Sequence, residues 1–175
     1  TKKIVHILYG GLGGHGQVVF TLLKRTYANS TVHLIFYGVE EPTDEYIELC
    51  KQKAINYDII TKNQGEYIRP LVQIYKILKK LNPSFIITHS SNAILPSLCY
   101  TFFRKCKSYF VEHHSNHLKT PNEWFLSYAS NLFAKKVIYL SEQYRNDVKK
   151  HLGIFYSLNK GEVIPNGVDV SLFKP

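Results

Sequence analysis

Runs rich in Ile, Val, Leu and Phe alternate with amphipathic stretches along the whole chain. Seven runs have the length and composition of strands: Lys3 to Tyr9, Val32 to Tyr37, Ala54 to Ile60, Ser84 to Thr88, Ser108 to Glu112, Lys136 to Leu140 and Glu162 to Ile164. Several are almost continuously apolar, as parallel strands covered on both faces must be. The stretches between them fit helices at Gln17 to Thr26, Asp44 to Lys53, Tyr67 to Leu81, Ala93 to Phe103, Trp124 to Phe133 and Glu142 to Leu152. Pro42, Pro83, Pro96 and Pro121 fall at boundaries or first turns, where a missing N–H costs little. Asn82-Pro83 stops one helix just before a strand. The alternation predicts βαβ units with right-handed crossovers, and so an α/β fold with an open, doubly wound, mainly parallel sheet of about seven strands. No internal repeat interrupts it. Such sheets bind ligands outside the carboxyl ends of their strands, where the strand order reverses. The loops that open at Gly10, Gly38, Thr61, His89, His113 and Ser141 are therefore where chemistry is expected.

Composition narrows the class. A chain of 175 residues, 45% hydrophobic and 20% charged, suits one domain with its own core. No segment reaches about eighteen uninterrupted apolar residues, and no signal-peptide pattern opens the sequence. The three cysteines, Cys50, Cys99 and Cys106, lack a CxxC spacing, so a reduced, cytoplasmic protein is expected, with neither zinc nor redox chemistry. The net charge of +9, from 22 Lys and Arg against 13 Asp and Glu, favours anionic partners. Those cations are scattered as helix pairs such as Lys24-Arg25, Lys79-Lys80 and Lys149-Lys150, which argues against nucleic acid. One stretch differs. From Cys99 to Phe110, the aromatics Tyr100, Phe102, Phe103 and Tyr109 are interleaved with Arg104, Lys105 and Lys107. It reads either as a surface that docks on lipid headgroups, giving peripheral membrane association, or as a helix end that packs its rings inward.

Between the first strand and first helix lies Tyr9-Gly10-Gly11-Leu12-Gly13-Gly14-His15-Gly16-Gln17. Bare backbone lets amides approach an anion, and the helix that follows adds its positive end. A phosphate or diphosphate is the natural guest. Gly11, Gly13 and Gly16 also satisfy the GxGxxG pattern of dinucleotide sites, which keeps an NAD(P)-linked oxidoreductase open as an alternative. The second strand, however, ends in Phe36-Tyr37-Gly38, where that class places a ribose-binding carboxylate, and Glu40 and Glu41 come slightly late. A phosphate- or lipid-headgroup-binding module is a further alternative.

Four of the eight histidines fall at or just past strand ends: His89, His113, His114 and His117. Glu112-His113-His114 sets a carboxylate beside imidazoles at the rim. Adjacent histidines are poor geometry for one metal ion, and near-neutral imidazoles suit hydrogen bonds to sugar hydroxyls or to a developing charge. His6 and His33 lie within strands and read as satisfied core or edge residues. Ser90 to Asn92 reads as a helix cap.

The remaining signal is a set of motifs in order. Gly13-Gly14 precedes the first helix, a histidine follows the fifth strand, and Val137-Ile138-Tyr139-Leu140-Ser141-Glu142 ends the sixth. Val163-Ile164-Pro165-Asn166-Gly167-Val168-Asp169 with Phe173-Lys174-Pro175 closes the chain. Together they resemble the N-terminal, Rossmann-like domain of family 4 glycosyltransferases of the GT-B fold. His15-Gly16-Gln17 stands where that family often has Ala-Glu-Arg. The resemblance implies one domain over residues 1–175, with 163–175 starting a linker to a C-terminal donor-binding domain. It implies a retaining enzyme that moves a hexosyl group from a nucleotide sugar to a glycan or lipid-linked acceptor, with no cofactor and no required metal. On that resemblance, His114 or His113 meets the sugar at the reaction centre. Gly13, Gly14, His15, Glu112, Ser141 and Asn166 serve the donor side, and His89 faces the acceptor cleft. The resemblance also implies polysaccharide or glycolipid assembly, and a fragment that is inactive alone.

Overall fold

The computed structural model describes residues 2–11, 14–23, 30–113 and 116–166. Among them strands and helices alternate without exception. They are β1 (Lys2–Tyr9), α1 (Gly14–Leu23), β2 (Ser30–Gly38), α2 (Asp44–Gln52), β3 (Asn56–Thr61), α3 (Ile68–Leu81) and β4 (Phe85–Thr88). There follow α4 (Ile94–Phe103), β5 (Lys107–Glu112), α5 (Pro121–Phe133), β6 (Lys136–Tyr139), α6 (Glu142–Leu152) and β7 (Gly161–Val163). Short 3-10 turns precede α4 at Ser91–Ala93 and α5 at Asn116–Leu118. The strands form one sheet in the order β3-β2-β1-β4-β5-β6-β7, and every pairing is parallel. Chain order reverses between β1 and β4.

Local chemistry sets the helix ends. Thr43 caps α2, Ser141 caps α6, and Thr120 forms a reciprocal capping box with Glu123 ahead of Pro121 in α5. Asn82 takes the left-handed conformation (φ 47°) that ends α3, and Pro83 prevents it from continuing. Ala54, also left-handed (φ 50°), turns the chain after α2 and delays β3 to Asn56.

Side chains alternate across each strand. Val5, Ile7, Ile35, Tyr37 and Ile86 point to one face and pack under α3 and α4. On that same face Phe110, Val137 and Tyr139 pack under α4, α5 and α6. The opposite face carries Leu8, Leu34 and Phe36 against Val19 and Phe20 of α1 and Tyr46 and Cys50 of α2. Those two helices cover only β1 to β3. On β4 to β6 the same face leaves Phe85, Ile87, Tyr109 and Ile138 half-buried.

The first helix begins at Gly14 rather than at Gln17, where the pattern of apolar residues starts. Its early glycine is a packing requirement. Tyr46 is 3% exposed and is held between Phe20 and Phe36, with ring centroids 5.3 and 6.3 Å away, and a Cβ on Gly16 would overlap its ring. Alanine is the better helix former by about 1 kcal/mol. Gly16→Ala is nevertheless expected to lower stability by about 1–3 kcal/mol, because a buried ring has to move. Denaturant midpoints measure this, and an unchanged or raised midpoint contradicts it.

Candidate functional site

The carboxyl rim brings together the loops after β1, β2, β4 and β5. Gly10 and Gly11 turn the chain from β1 toward α1. A Cβ on Gly10 would stand 2.7 Å from the Glu40 carbonyl oxygen and 3.3 Å from the Pro42 nitrogen. Backbone here lies on backbone, so the loops after β1 and β2 close on each other only because residue 10 has no side chain. The Glu40 carboxylate lies against Gly11 and beside Tyr9, whose phenol pKa is raised by burial first and by that negative charge second. A carboxylate therefore does adjoin the glycine loop, although it lies two residues past the end of β2. The first-turn amides of α1 have no intrahelical acceptors, and they and the helix dipole face this rim.

Next to the loop three histidines form a row across the reversal point. Val5 and Ile7 face α3, so His6 points to the other side of β1, beside Ile87 of β4 in the pairing register. His6 Nδ1 lies 3.1 Å from His89 Nε2, and His89 Nδ1 lies 3.1 Å from His113 Nε2. The first two rings stack with centroids 5.4 Å apart and 14° between planes. A bond between two neutral imidazoles pairs one N–H with one bare nitrogen. The row is thus polarised in a single direction, toward His113 or toward His6. The ring nitrogens point at one another and not at a common centre, which is the wrong arrangement for a shared metal ion. Burial holds His6 neutral and lowers its pKa from 6.5 to about 4.

This placement revises several expectations. His6 is buried and hydrogen-bonded, as expected of a satisfied core residue, and it also anchors the row. His89 is 3% exposed and held between two imidazoles, so it does not lie open to a cleft. Of the row, His113 is the half-exposed member. Glu112 points the opposite way, as strand alternation demands, and is 1% exposed behind the sheet. There it pairs with Lys119 Nζ at 3.0 Å and accepts from Ser127 Oγ at 3.1 Å, so it faces no open donor site. Lys119 also lies over Trp124 and Tyr144, 4.5 and 5.3 Å from their ring centroids. Burial lowers the Lys119 pKa, and attraction to Glu112 partly offsets it. Breaking such a pair costs about 3–5 kcal/mol, because it strands a buried charge. The pair therefore clamps the loop between His113 and α5. Sequence reading missed Lys119; its signal is a cation seven residues beyond a carboxylate that ends an apolar strand.

Ser141 is engaged as a cap, with its Oγ accepting from the Tyr144 amide at 3.1 Å. Ser90 precedes the 3-10 turn without a side-chain cap bond; its carbonyl accepts from Ala93 instead. Asn166 is exposed beyond β7, past the Ile164 amide that bonds the Tyr139 carbonyl at 2.9 Å. His33 pairs with Asp58 at 2.7 Å on the far side of the sheet. The backbone of Gly14 belongs to α1. Gly13, His114, the side chain of His15 and residues 167–175 lie outside the described residues.

The sequence pattern of Glycosyltransferase Family 4 matches residues 12–172. None of the curated proteins compared with the chain matches it in sequence. Among solved structures, Anabaena Alr3699/HepE in complex with UDP-glucose superposes with a TM-score of 0.75 at 18% identity, covering 100% of this chain and 46% of that one. A glycosyltransferase from Rickettsia africae ESF-5 gives 0.66 at 20% identity, covering 98% of this chain and 45% of that one. Sucrose-phosphate synthase from Thermosynechococcus elongatus gives 0.70 at 13% identity, covering 100% and 50%. The fold is that of one half of a GT-B glycosyltransferase, and the chain spans about half the length of these structures.

The buried row has a consequence for acid stability. The unfolded chain takes up a proton on His6 near pH 6.5, whereas the folded one resists until about pH 4. Stability tied to neutral His6 is complete above the unfolded value and lost as pH falls toward the folded one. The stability gap between wild type and His6→Gln is expected to shrink by about 3 kcal/mol between pH 7 and pH 4. Urea unfolding at the two pH values reads this; a constant gap contradicts it.

Proposed function

This chain belongs to glycosyltransferase family 4, and we propose that it is the N-terminal, acceptor-side half of an enzyme that transfers a hexosyl group from a nucleotide sugar with retention at the anomeric carbon. The observation that carries the reading is the joint placement of an amide-rich helix start and an ordered imidazole row at the point where the sheet order reverses. The family pattern covers the helix start and two members of the row, His89 and His113. Neighbours of the same fold were solved with UDP and UDP-glucose, which supports a uridine nucleotide sugar as the first donor to test. The dinucleotide reading of the glycines gives way to this one, since the family pattern begins within the glycine loop itself.

In this reading, amides at Gly13 and Gly14 approach the donor diphosphate or sugar. His113, or His114 beside it, bonds a sugar hydroxyl. His89 acts through His113 by fixing its ring. A C-terminal domain supplies most of the charge that stabilises the departing nucleotide, so the chain by itself neither binds donor tightly nor turns over. The half-buried strip of Phe85, Ile87, Tyr109 and Ile138 supports further chain packing on this domain. No metal takes part. The acceptor is a glycan or a lipid-linked glycan, met at the cytoplasmic face of a membrane. Among the described residues no helix is long and apolar enough to cross that membrane.

Transfer from UDP-glucose and related donors by the full-length protein tests the proposal. His113→Ala is expected to lower kcat about ten- to a hundredfold, the loss of one hydrogen bond that matters in the transition state. Gly14→Val should abolish turnover. Wild-type rates in both variants would remove the rim from the reaction.

A further inference from the structure

An exposed apolar surface lies away from the rim, on the helical layer. At the end of α4, Phe102 and Phe103 are 80% and 71% exposed, with their rings edge to face at 5.1 Å. Across from them α5 presents Phe125 and Phe133, 61% and 66% exposed. Between the two helices runs a groove of about 850 Å³, floored by Leu95, Leu98, Ala129 and Ala134. Soluble surfaces rarely carry this much contiguous aromatic area without a partner.

The rim of the groove says which partner. Lys107, Lys135, Lys136 and Lys160 line it, no Asp or Glu does, and Arg104 and Lys105 follow Phe103 directly. Lys136 is paired with Glu162 at 2.5 Å, and Lys160 donates to the Leu132 carbonyl. Among the described residues, Arg104, Lys105, Lys107 and Lys135 have no carboxylate partner. A protein face burying the rings would also have to desolvate those cations. A lipid layer has no such difficulty: rings enter the boundary between headgroups and acyl chains while cations stay among phosphates.

We propose that the α4–α5 groove docks on an anionic lipid surface, with Phe102, Phe103, Phe125 and Phe133 inserting and Arg104, Lys105, Lys107 and Lys135 binding lipid phosphates. Of the two readings open for the stretch from Cys99 to Phe110, the exposed rings choose the first; Tyr100, 1% exposed, is the ring that packs inward. The groove opens at the amino end of the sheet, where Lys107 and Lys136 begin β5 and β6 and where Phe103 and Phe133 end α4 and α5, so the docked face lies opposite the carboxyl rim and leaves that rim free. This surface goes beyond the enzymatic reading and is tested without it.

The test is sedimentation of the full-length protein with phosphatidylcholine vesicles and with equimolar phosphatidylcholine and phosphatidylglycerol vesicles across a salt series. Binding is expected only with the anionic mixture and should weaken as salt rises. The triple variant Arg104→Gln, Lys105→Gln, Lys107→Gln should lose roughly a hundredfold in partitioning, about fivefold for each cation. Phe102→Ser with Phe103→Ser should abolish binding even at low salt, and both variants should transfer sugar to a soluble acceptor at the wild-type rate. Absence of binding to the anionic vesicles overturns the proposal. So does binding that survives both variants, a dimer that only the phenylalanine variant dissolves, or loss of soluble transfer. Vesicle binding as expected, without transfer from any nucleotide sugar, overturns the enzymatic reading and leaves this surface standing.

Discussion

The hydrogen bond from the His89 amide to the Ile7 carbonyl, 2.8 Å long, continues the β1–β4 pairing one step past the end of β4. It holds the place where the sheet changes direction, and the rim depends on it. The β1–β4 register sets His6 beside Ile87, and the next residue with the same facing on β4 is His89. The β4–β5 register sets Thr88 beside Phe110, so Val111 falls level with His89, and His113, the next residue with the same facing, continues the row diagonally. Three residues far apart in sequence thus share one line of hydrogen bonds without any specific loop conformation. Strand pairing alone delivers two of them, and a clamped loop delivers the third.

Adjacent residues at the end of β5 divide the work. Glu112 turns to the helical face, where Lys119 and Ser127 neutralise and bind it, and His113 turns to the face of the row. The buried ion pair adds little net stability over an apolar pair of the same shape, but breaking it is costly. Its contribution is positional: it fixes where the chain leaves the sheet just beyond His113. Burial keeps the Tyr139 and Tyr144 phenols protonated well above the usual range, and the negative charge of this nearby carboxylate adds to the effect. The polar cluster behind the sheet is a support for the site on the other side.

Much of this was legible in the sequence, because the local rules agree with the global fold. Apolar runs gave all seven strands to within about two residues, and Asn82-Pro83, Thr120-Pro121 and Ser141 marked helix ends by their own chemistry. The misses are tertiary. The start of α1 is hidden because glycine's poor helix propensity argues against it, while the packing contact that requires Gly16 is with Tyr46, thirty residues away. His6 is core, as its place in an apolar strand implies, but a single imidazole there carries no sign of its partners 83 and 107 residues downstream, the first bonded directly and the second through it. Lys119 is hidden in the same way, since nothing local ties it to Glu112 seven residues earlier. Order along the chain was readable; which side chains meet across strands was not.

The claim on which the functional account stands is that the imidazole row looks onto the transferred sugar. Histidine ring ¹⁵N spectra of the full-length protein, recorded with UDP and then with UDP-glucose, test it most directly. The account predicts that UDP leaves the His113 nitrogens nearly where they were, and that the added glucose shifts them, with a smaller change relayed to His89. Saturating UDP-glucose that moves neither histidine would contradict it.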